Sequence, residues 1–149
     1  MSRHYYIKNS QGKVLDVEGN STTPGTSVIL WTRNSPPSST DNQHWTFTTT
    51  GSGHESSPYL EIYSQQDVGH LRRLVLEVKD GNAREGTEIV TGIASPPTTT
   101  DKQLWFQVGQ QIVSKLDQSL AIGWSSSNDK AILVSRGNPN SLWSLEIST

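Results

Sequence analysis

The sequence predicts an all-β domain assembled from three similar units. Its 149 residues are the usual length of one domain. The chain contains 21 Ser, 15 Thr and only 4 Ala, so residues typical of turns outnumber the best helix former. Short apolar runs alternate with Gly, Pro, Asn and Ser, which is the pattern of brief strands joined by turns. An eleven-residue segment that recurs within the chain indicates internal duplication.

This repeated segment occupies residues 35–45 and 95–105. The two copies are identical at seven of eleven positions, and each begins with Ser-Pro-Pro and ends with Gln-x-Trp. A shorter third copy ends in Ser141-Leu142-Trp143. Seven identities at a constant offset of 60 residues are not expected by chance, even in a chain rich in Ser and Thr. We therefore interpret the three Trp-containing motifs as copies of one unit.

A second shared feature lies upstream of each motif. Three triplets with apolar outer residues begin 30, 29 and 23 residues before the respective Trp, and a glycine follows each one: Leu15-Asp16-Val17 with Gly19, Leu76-Glu77-Val78 with Gly81, and Leu120-Ala121-Ile122 with Gly123. The sequence thus predicts a single domain, residues 1–149, with units at about 1–50, 51–108 and 109–149.

Each unit has the pattern of four short strands. In the first unit these are predicted at Tyr5–Lys8, Val14–Val17, Val28–Trp31 and His44–Phe47, and residues 54–71 are expected to lengthen the first connection of the second unit. Three such units predict a closed pseudo-threefold barrel with a cap, a β-trefoil. Units this small must share one core. We expect that core to contain the three motif Trp residues and the outer residues of each triplet.

The composition argues against several functional classes. Without Cys, the chain has no disulfide, thiolate metal site or cysteine nucleophile. A net charge of -2 argues against nucleic acid as a partner, and no apolar run is long enough for membrane insertion. The four His residues lack metal-ligand spacing, and no hydrolase or nucleotide-binding motif occurs. We therefore expect no catalytic residues, metal or cofactor and, since no signal-peptide pattern is present, a cytoplasmic protein.

Candidate binding residues emerge from the two-residue periodicity of the first unit. If Leu15 and Val17 face the core, Asp16 faces outward, and the same reasoning turns Trp31 outward, while Asn42 ends the loop before Gln43. A carboxylate accepts sugar hydroxyls, an amide donates and accepts, and an indole covers the C–H face of a pyranose. Each residue alone also suits an ordinary role: a turn for the aspartate, core packing for the indole and a cap for the asparagine. Together they predict a shallow monosaccharide site.

The threefold Q-x-W pattern and the stretch Leu15-Asp16-Val17-Glu18-Gly19 resemble the ricin-B-type β-trefoil lectins, in particular the small cysteine-free lectins of mushrooms. The resemblance spans essentially the whole chain. It implies binding of galactose or N-acetylgalactosamine on glycans and glycoproteins through Asp16, Trp31 and Asn42. It further implies backbone contacts at Gly19 and a supporting, indirect role for Gln43. Lectins of this family are often dimers, and the sequence leaves open whether this chain forms a homodimer.

The other two units depart from this pattern. The second has Glu77, Gly92 and Lys102 where Asp, an aromatic residue and Asn are expected, which leaves at most a weak second site at Glu77. In the third unit we assign Ala121 and Ser135 to the positions of the lost carboxylate and aromatic residue, with Asn140 retained. Trp124 is expected to pack against the barrel. The main site is therefore predicted in the first unit.

One alternative function comes from a different class. Small cysteine-free β-trefoils also include protease inhibitors, which insert a surface loop into an active-site cleft. Residues 54–71 and the two Ser-Pro-Pro loops are the segments suited to that role. An inhibitor, however, has no use for an outward carboxylate, indole and amide in one unit. The carbohydrate-binding interpretation accounts for all three.

Overall fold

The structure of the protein is a computed structural model that describes residues 3–35, 40–54, 57–95 and 100–148. In these ranges the chain forms strands and short 3-10 turns, and no helix there is long and apolar enough to cross a membrane. The strands are β1 (His4–Lys8), β2 (Val14–Val17), β3 (Val28–Trp31), β4 (Trp45–His54), β5 (Ser57–Ser64), β6 (Arg73–Val78), β7 (Ile89–Ala94), β8 (Trp105–Val108), β9 (Gln111–Ser114), β10 (Leu120–Trp124), β11 (Ala131–Ser135) and β12 (Ser144–Ser148).

Six of the strands form a barrel. They pair antiparallel in the order β12, β1, β4, β5, β8 and β9. In the described residues β9 and β12 share no ladder, and the barrel is closed there by the Trp143 N–H, which donates to the Gln110 carbonyl at 2.9 Å. Because β1 pairs with β12 from His4 opposite Ser148 onward, the first and last strands lie side by side.

The remaining strands form three hairpins, β2–β3, β6–β7 and β10–β11, that cap the barrel. A cycle of backbone hydrogen bonds joins them. The Leu30 N–H donates to the Asp129 carbonyl at 2.7 Å, the Thr91 N–H to Thr26 at 2.9 Å and the Leu133 N–H to Thr87 at 2.8 Å. The first hairpin thus donates to the third, the second to the first and the third to the second, a cycle that confirms the predicted pseudo-threefold β-trefoil.

The predicted core is confirmed. Trp45, Trp105 and Trp143 are buried, together with the apolar residues of the triplets. Each indole N–H donates to a backbone carbonyl of the capping hairpin of its own unit: to Leu15 at 3.1 Å, to Leu76 at 3.2 Å and to Ile122 at 2.8 Å.

These three bonds correct the predicted alignment of the third unit. Ile122, and not Leu120, corresponds to Leu15 and Leu76. The reason is a shorter hairpin: Trp124 pairs with Ala131, so this hairpin has four residues fewer than those in which Val17 pairs with Val28 and Val78 with Ile89. The apolar spacing misled the prediction because residues 120–124 are all buried, which leaves no exposed position to mark the register.

The strand predictions for the first unit are confirmed for β2 and β3, while β1 begins one residue earlier and β4 extends to His54. The interpretation of residues 54–71 as an added connection is wrong in part. Residues 57–64 form β5, the first strand of the second unit, which pairs with β4. Its buried Glu61 hid the strand pattern, and the Arg73 guanidinium neutralises that carboxylate at 2.9 Å. The Ser-Pro-Pro loops lie largely at 36–39 and 96–99, outside the described residues.

Replacing Trp45 by Phe should destabilise the fold. The change removes packing volume and leaves the buried Leu15 carbonyl without its donor, so we expect the free energy of unfolding to fall by about 2–4 kcal/mol. The matched change Trp31→Phe affects an exposed side chain and should alter it by less than about 0.5 kcal/mol. Urea denaturation followed by circular dichroism measures both. Equal effects at the two positions would contradict the assigned core.

Candidate functional site

An open cavity of about 460 Å³ lies on the first unit, between the β2–β3 hairpin and the 3-10 turn Asp41–Gln43. The residues that line it are Asp16, Glu18, Gly19, Asn20, Ile29, Trp31, Asn34 and Asn42. The structure therefore brings together the four side chains or backbone segments predicted to bind sugar. In the described part of the chain, no group of three or more His, Asp or Glu side chains is arranged to hold a metal ion.

Asp16 points away from the barrel core, but it is not exposed as the alternation of β2 predicted. Its side chain is only 4% exposed because the turn that follows the Ser-Pro-Pro loop covers it. One carboxylate oxygen accepts from the Asn42 amide at 3.2 Å and the other from the Gln43 amide at 2.8 Å. The two amides therefore orient the carboxylate at the wall of the cavity.

The electrostatic setting of Asp16 is unusual for an aspartate. Burial raises its pKa, the hydrogen bonds from Gln43 and Asn42 lower it, and the neighbouring Glu18 charge raises it again. The balance leaves the pKa above its usual value, because desolvation of the charged form exceeds the stabilisation from the two amides.

Gln43 lies behind the cavity and connects three segments. Its amide nitrogen also donates to the Thr32 carbonyl at 2.9 Å, and its oxygen accepts from the Asn34 N–H at 2.8 Å. Gln43 thus ties the chain that follows β3 to the carboxylate of Asp16. This arrangement gives Gln43 contacts within the protein and leaves the cavity wall to Asn42 and Asn34.

The amide of Asn42 is buried at the base of the cavity. Its nitrogen donates to Asp16 and also to the Val17 carbonyl at 3.2 Å. Its oxygen is buried and, among the described residues, has no hydrogen-bond donor. A buried acceptor without a donor costs about 1–3 kcal/mol, so this amide favours a ligand that supplies a hydroxyl or N–H.

Trp31 and Gly19 form opposite parts of the cavity lining. The Trp31 side chain is 54% exposed, whereas the four other Trp side chains are buried. It ends β3, opposite Val14, and about half of its surface is open to solvent. Gly19 has φ +65° within a 3-10 turn, and an added Cβ would meet no atom within 4 Å. The turn conformation, and not lack of space, accounts for glycine there.

Four lining residues were missed by the sequence analysis: Glu18, Asn20, Ile29 and Asn34. Ile29 was detectable, because it lies two residues before Trp31 and pairs with Asp16 across the hairpin. Asn34 depends on the path of the chain after β3, which strand periodicity does not describe.

In the second unit Glu77 takes the place of Asp16, and its carboxylate is engaged by two neighbouring side chains. Glu77 accepts from the Gln103 amide at 2.9 Å and pairs with the Lys102 ammonium at 3.5 Å. A Cβ at Gly92 would lie 2.0 Å from a Glu77 oxygen, so the longer side chain fills the space that the aromatic ring takes in the first unit.

In the third unit the corrected alignment changes the assigned residues. Gly123, and not Ala121, takes the place of Asp16. Val134, and not Ser135, takes the place of Trp31, since it pairs with Ala121 as Trp31 pairs with Val14. Asn140 keeps one contact of Asn42, because its amide donates to the Trp124 carbonyl at 3.3 Å. Trp124 packs in the core as expected.

Comparisons with known proteins agree with this architecture. The chain is similar to the earthworm R-type lectin C-half in complex with GalNAc, with 24% identity, 98% of this chain and 99% of that chain covered, and a TM-score of 0.70. It is similar to the designed threefold-symmetric protein ThreeFoil, with 22% identity, 98% and 99% coverage and a TM-score of 0.74. An exo-β-1,3-galactanase from Clostridium thermocellum matches with 22% identity and a TM-score of 0.74, over 99% of this chain and 30% of that chain.

A comparison with curated proteins finds no match. The likeness to solved structures, at these identities, establishes the fold. The profile of the ricin-type beta-trefoil lectin domain-like family matches residues 2–92, which is more than half of the chain. The protein is therefore a member of the ricin-type beta-trefoil lectin domain-like family.

Proposed function

We propose that this protein is a non-catalytic, carbohydrate-binding lectin whose main site is the cavity of the first unit. The observation that carries the proposal is the Asp16 carboxylate, held by two side-chain amides beside the exposed indole of Trp31. Oriented acceptors next to an aromatic surface are the two elements that a pyranose ring requires: partners for its hydroxyls and cover for its C–H face.

Binding follows from the geometry of these groups. Two ring hydroxyls donate to the Asp16 carboxylate, which has lone pairs beyond those used by Asn42 and Gln43. A third hydroxyl or an N-acetyl N–H satisfies the Asn42 oxygen. The ring then lies against Trp31, and its polar edge faces the backbone at Gly19. A single open site of this kind is expected to bind a monosaccharide in the range of about mM to high μM.

We propose galactose and N-acetylgalactosamine as the sugars. An axial 4-hydroxyl leaves one face of galactose as a continuous C–H patch, which suits stacking on Trp31, and gathers neighbouring hydroxyls at one edge, which suits Asp16. The similar earthworm lectin is in complex with GalNAc, which supports this choice. Glycoproteins carrying such termini are the expected partners, and several copies on one surface would raise the apparent affinity through multivalency.

The direct experiment is retention on lactose-agarose, with elution by free lactose or N-acetylgalactosamine. A protein that is retained and eluted supports the proposal, whereas one that flows through contradicts it and favours the loop-insertion inhibitor. Nuclear magnetic resonance tests where the sugar binds. The Trp31 indole N–H signal should shift on titration, while the buried indoles of Trp45, Trp105 and Trp143 keep their carbonyl partners and should not.

We expect Asp16→Asn to weaken lactose binding by roughly 10- to 150-fold. The change removes the charge that strengthens sugar hydrogen bonds by about 1.5–3 kcal/mol while keeping the shape of the side chain. Isothermal titration measures the affinity and thermal denaturation controls for folding. Unchanged affinity in a folded variant would place the site elsewhere.

Acidification is expected to release the sugar before the protein unfolds. The folded-state pKa of Asp16 is raised above that of the unfolded chain, so the folded protein takes up this proton more readily, and protonation there does not destabilise the fold. Binding should decline as pH falls through the raised pKa, above the pH at which an ordinary aspartate titrates. Lactose titrations from neutral to acidic pH, with circular dichroism in parallel, measure this. A decline only at or below the usual aspartate pKa would contradict it.

The blocked second unit offers a gain-of-function test. In an Asp16→Asn background, the combined changes Glu77→Asp, Gly92→Trp and Lys102→Asn should restore retention on lactose-agarose. The shorter carboxylate makes room for the ring and the lysine charge is removed. The single change Gly92→Trp is the control and should destabilise the fold, since Glu77 then occupies the same space. A folded quadruple variant that is not retained would show that these positions are insufficient for a site.

A further inference from the structure

If the cavity binds sugar as proposed above, the charge of the residues that line it determines which glycans the cavity accepts. Two of the lining residues are carboxylates, Asp16 and Glu18, and none of the described lining residues is Lys, Arg or His. Asp16 is fixed in the wall, whereas Glu18 is exposed at the rim, on the 3-10 turn that follows β2. A ligand therefore meets negative charge at the wall of the cavity and again at its rim.

The cations on the neighbouring segments do not offset this charge. Lys13, just before β2, pairs with Asp129 at 3.5 Å. Arg33, just after β3, pairs with Glu146 and stacks on the Tyr6 ring. Lys130, on the hairpin that meets Ile29, pairs with Glu88 at 3.4 Å. Each of these positive charges is directed at a carboxylate outside the cavity, so the cavity itself keeps its negative potential.

The two carboxylates also act on each other. Burial is the largest cause of the raised Asp16 pKa, and the charge of the neighbouring Glu18 raises it further. A negative group on a ligand bound against Asp16 would meet the same negative charge. Two like charges about 4–6 Å apart near a protein surface repel by an amount that corresponds to at least about tenfold in affinity.

The second unit shows that this position tolerates either sign of charge. Lys79 takes the place of Glu18 at the start of the equivalent 3-10 turn, Lys79–Gly81, one residue after the strand that carries Glu77. Both turns are closed by an equivalent backbone hydrogen bond. The Ser21 N–H donates to the Glu18 carbonyl, and the Asn82 N–H donates to the Lys79 carbonyl. Reversing the charge at residue 18 is therefore compatible with the fold.

We propose that the first-unit cavity selects neutral over anionic glycans, and that Glu18 is the rim residue that sets this selectivity. Sialylated, sulfated or uronic-acid termini are disfavoured, whereas an uncharged terminal sugar is accepted. A positively charged amino sugar is favoured over its neutral counterpart because its ammonium group approaches two carboxylates. Glu18 acts on ligand choice through its charge, and the hydrogen bonds of Asp16 and Asn42 hold the sugar ring.

The test uses three monosaccharides of the same ring stereochemistry and different charge: galactosamine, galactose and galacturonic acid. Their affinities are measured by titration of the Trp31 indole signal at low and high salt, for the wild type and for Glu18→Gln and Glu18→Lys. Glu85→Gln is the matched control, because Glu85 is an exposed carboxylate on the second unit and its loss changes the net charge equally.

We expect the wild-type protein at low salt to bind galactosamine most tightly, galactose next and galacturonic acid at least about tenfold more weakly than galactose. Glu18→Gln should reduce the differences in affinity among the three sugars. Glu18→Lys should remove most of them, because the lining then holds one negative charge, on Asp16, and one positive charge. Added salt should also reduce the differences in affinity among the three sugars for the wild type, because it screens exposed charges. Glu85→Gln should leave the three affinities unchanged.

Two results would overturn the inference in distinguishable ways. If galactose binds but galacturonic acid binds equally well, or if Glu18→Gln and Glu85→Gln act alike, the charge selectivity is wrong and the lectin function stands. If the wild type binds neither galactose nor lactose at millimolar concentrations, the proposed function itself fails, and the selectivity fails with it.

Discussion

The hydrogen bond from each motif indole to a carbonyl of the capping hairpin is the interaction on which the rest of the structure depends. It joins barrel to cap, and it sets where the turn just before each Trp meets the hairpin. Because Trp45 is bonded to the carbonyl of Leu15, the residues two and three positions before it lie beside Asp16. The same bond brings Gln103 to Glu77. The candidate site thus follows from the contact that holds the fold together.

This dependence explains how much could be predicted from the sequence. The motif Trp residues and the apolar outer residues of the triplets recur at regular spacing, so the core, the pseudo-threefold fold and most strands of the first unit followed from that spacing. The grouping of Asp16, Trp31 and Asn42 followed as well, because alternation places two of them on one face of a hairpin. The burial of Asp16 did not follow, since it is produced by a turn that is distant in sequence and covers the strand.

The third unit illustrates a limit of a different kind. An apolar strand without an exposed position has no mark by which its register can be read, and residues 120–124 are such a strand. The shortened hairpin β10–β11 then displaced the apparent triplet by two residues. The indole bond to Ile122 and the Asn140 bond to the Trp124 carbonyl identify Gly123, and not Ala121, as the counterpart of Asp16. Repeated units tolerate changes in loop length easily, so the spacing of apolar residues could not reveal that this hairpin loop is shorter.

The adjacency of β1 and β12 has a consequence for how this protein matures. The first strand needs the last one as its neighbour, and Leu30, in the hairpin that carries Trp31, donates to the Asp129 carbonyl of the third unit. Contacts so far apart in sequence form slowly and require most of the chain to be present. During synthesis the cavity of the first unit therefore stays unformed until the third unit has been made. A chain that ends before the third unit would contain Asp16, Trp31 and Asn42 without the cavity that they line.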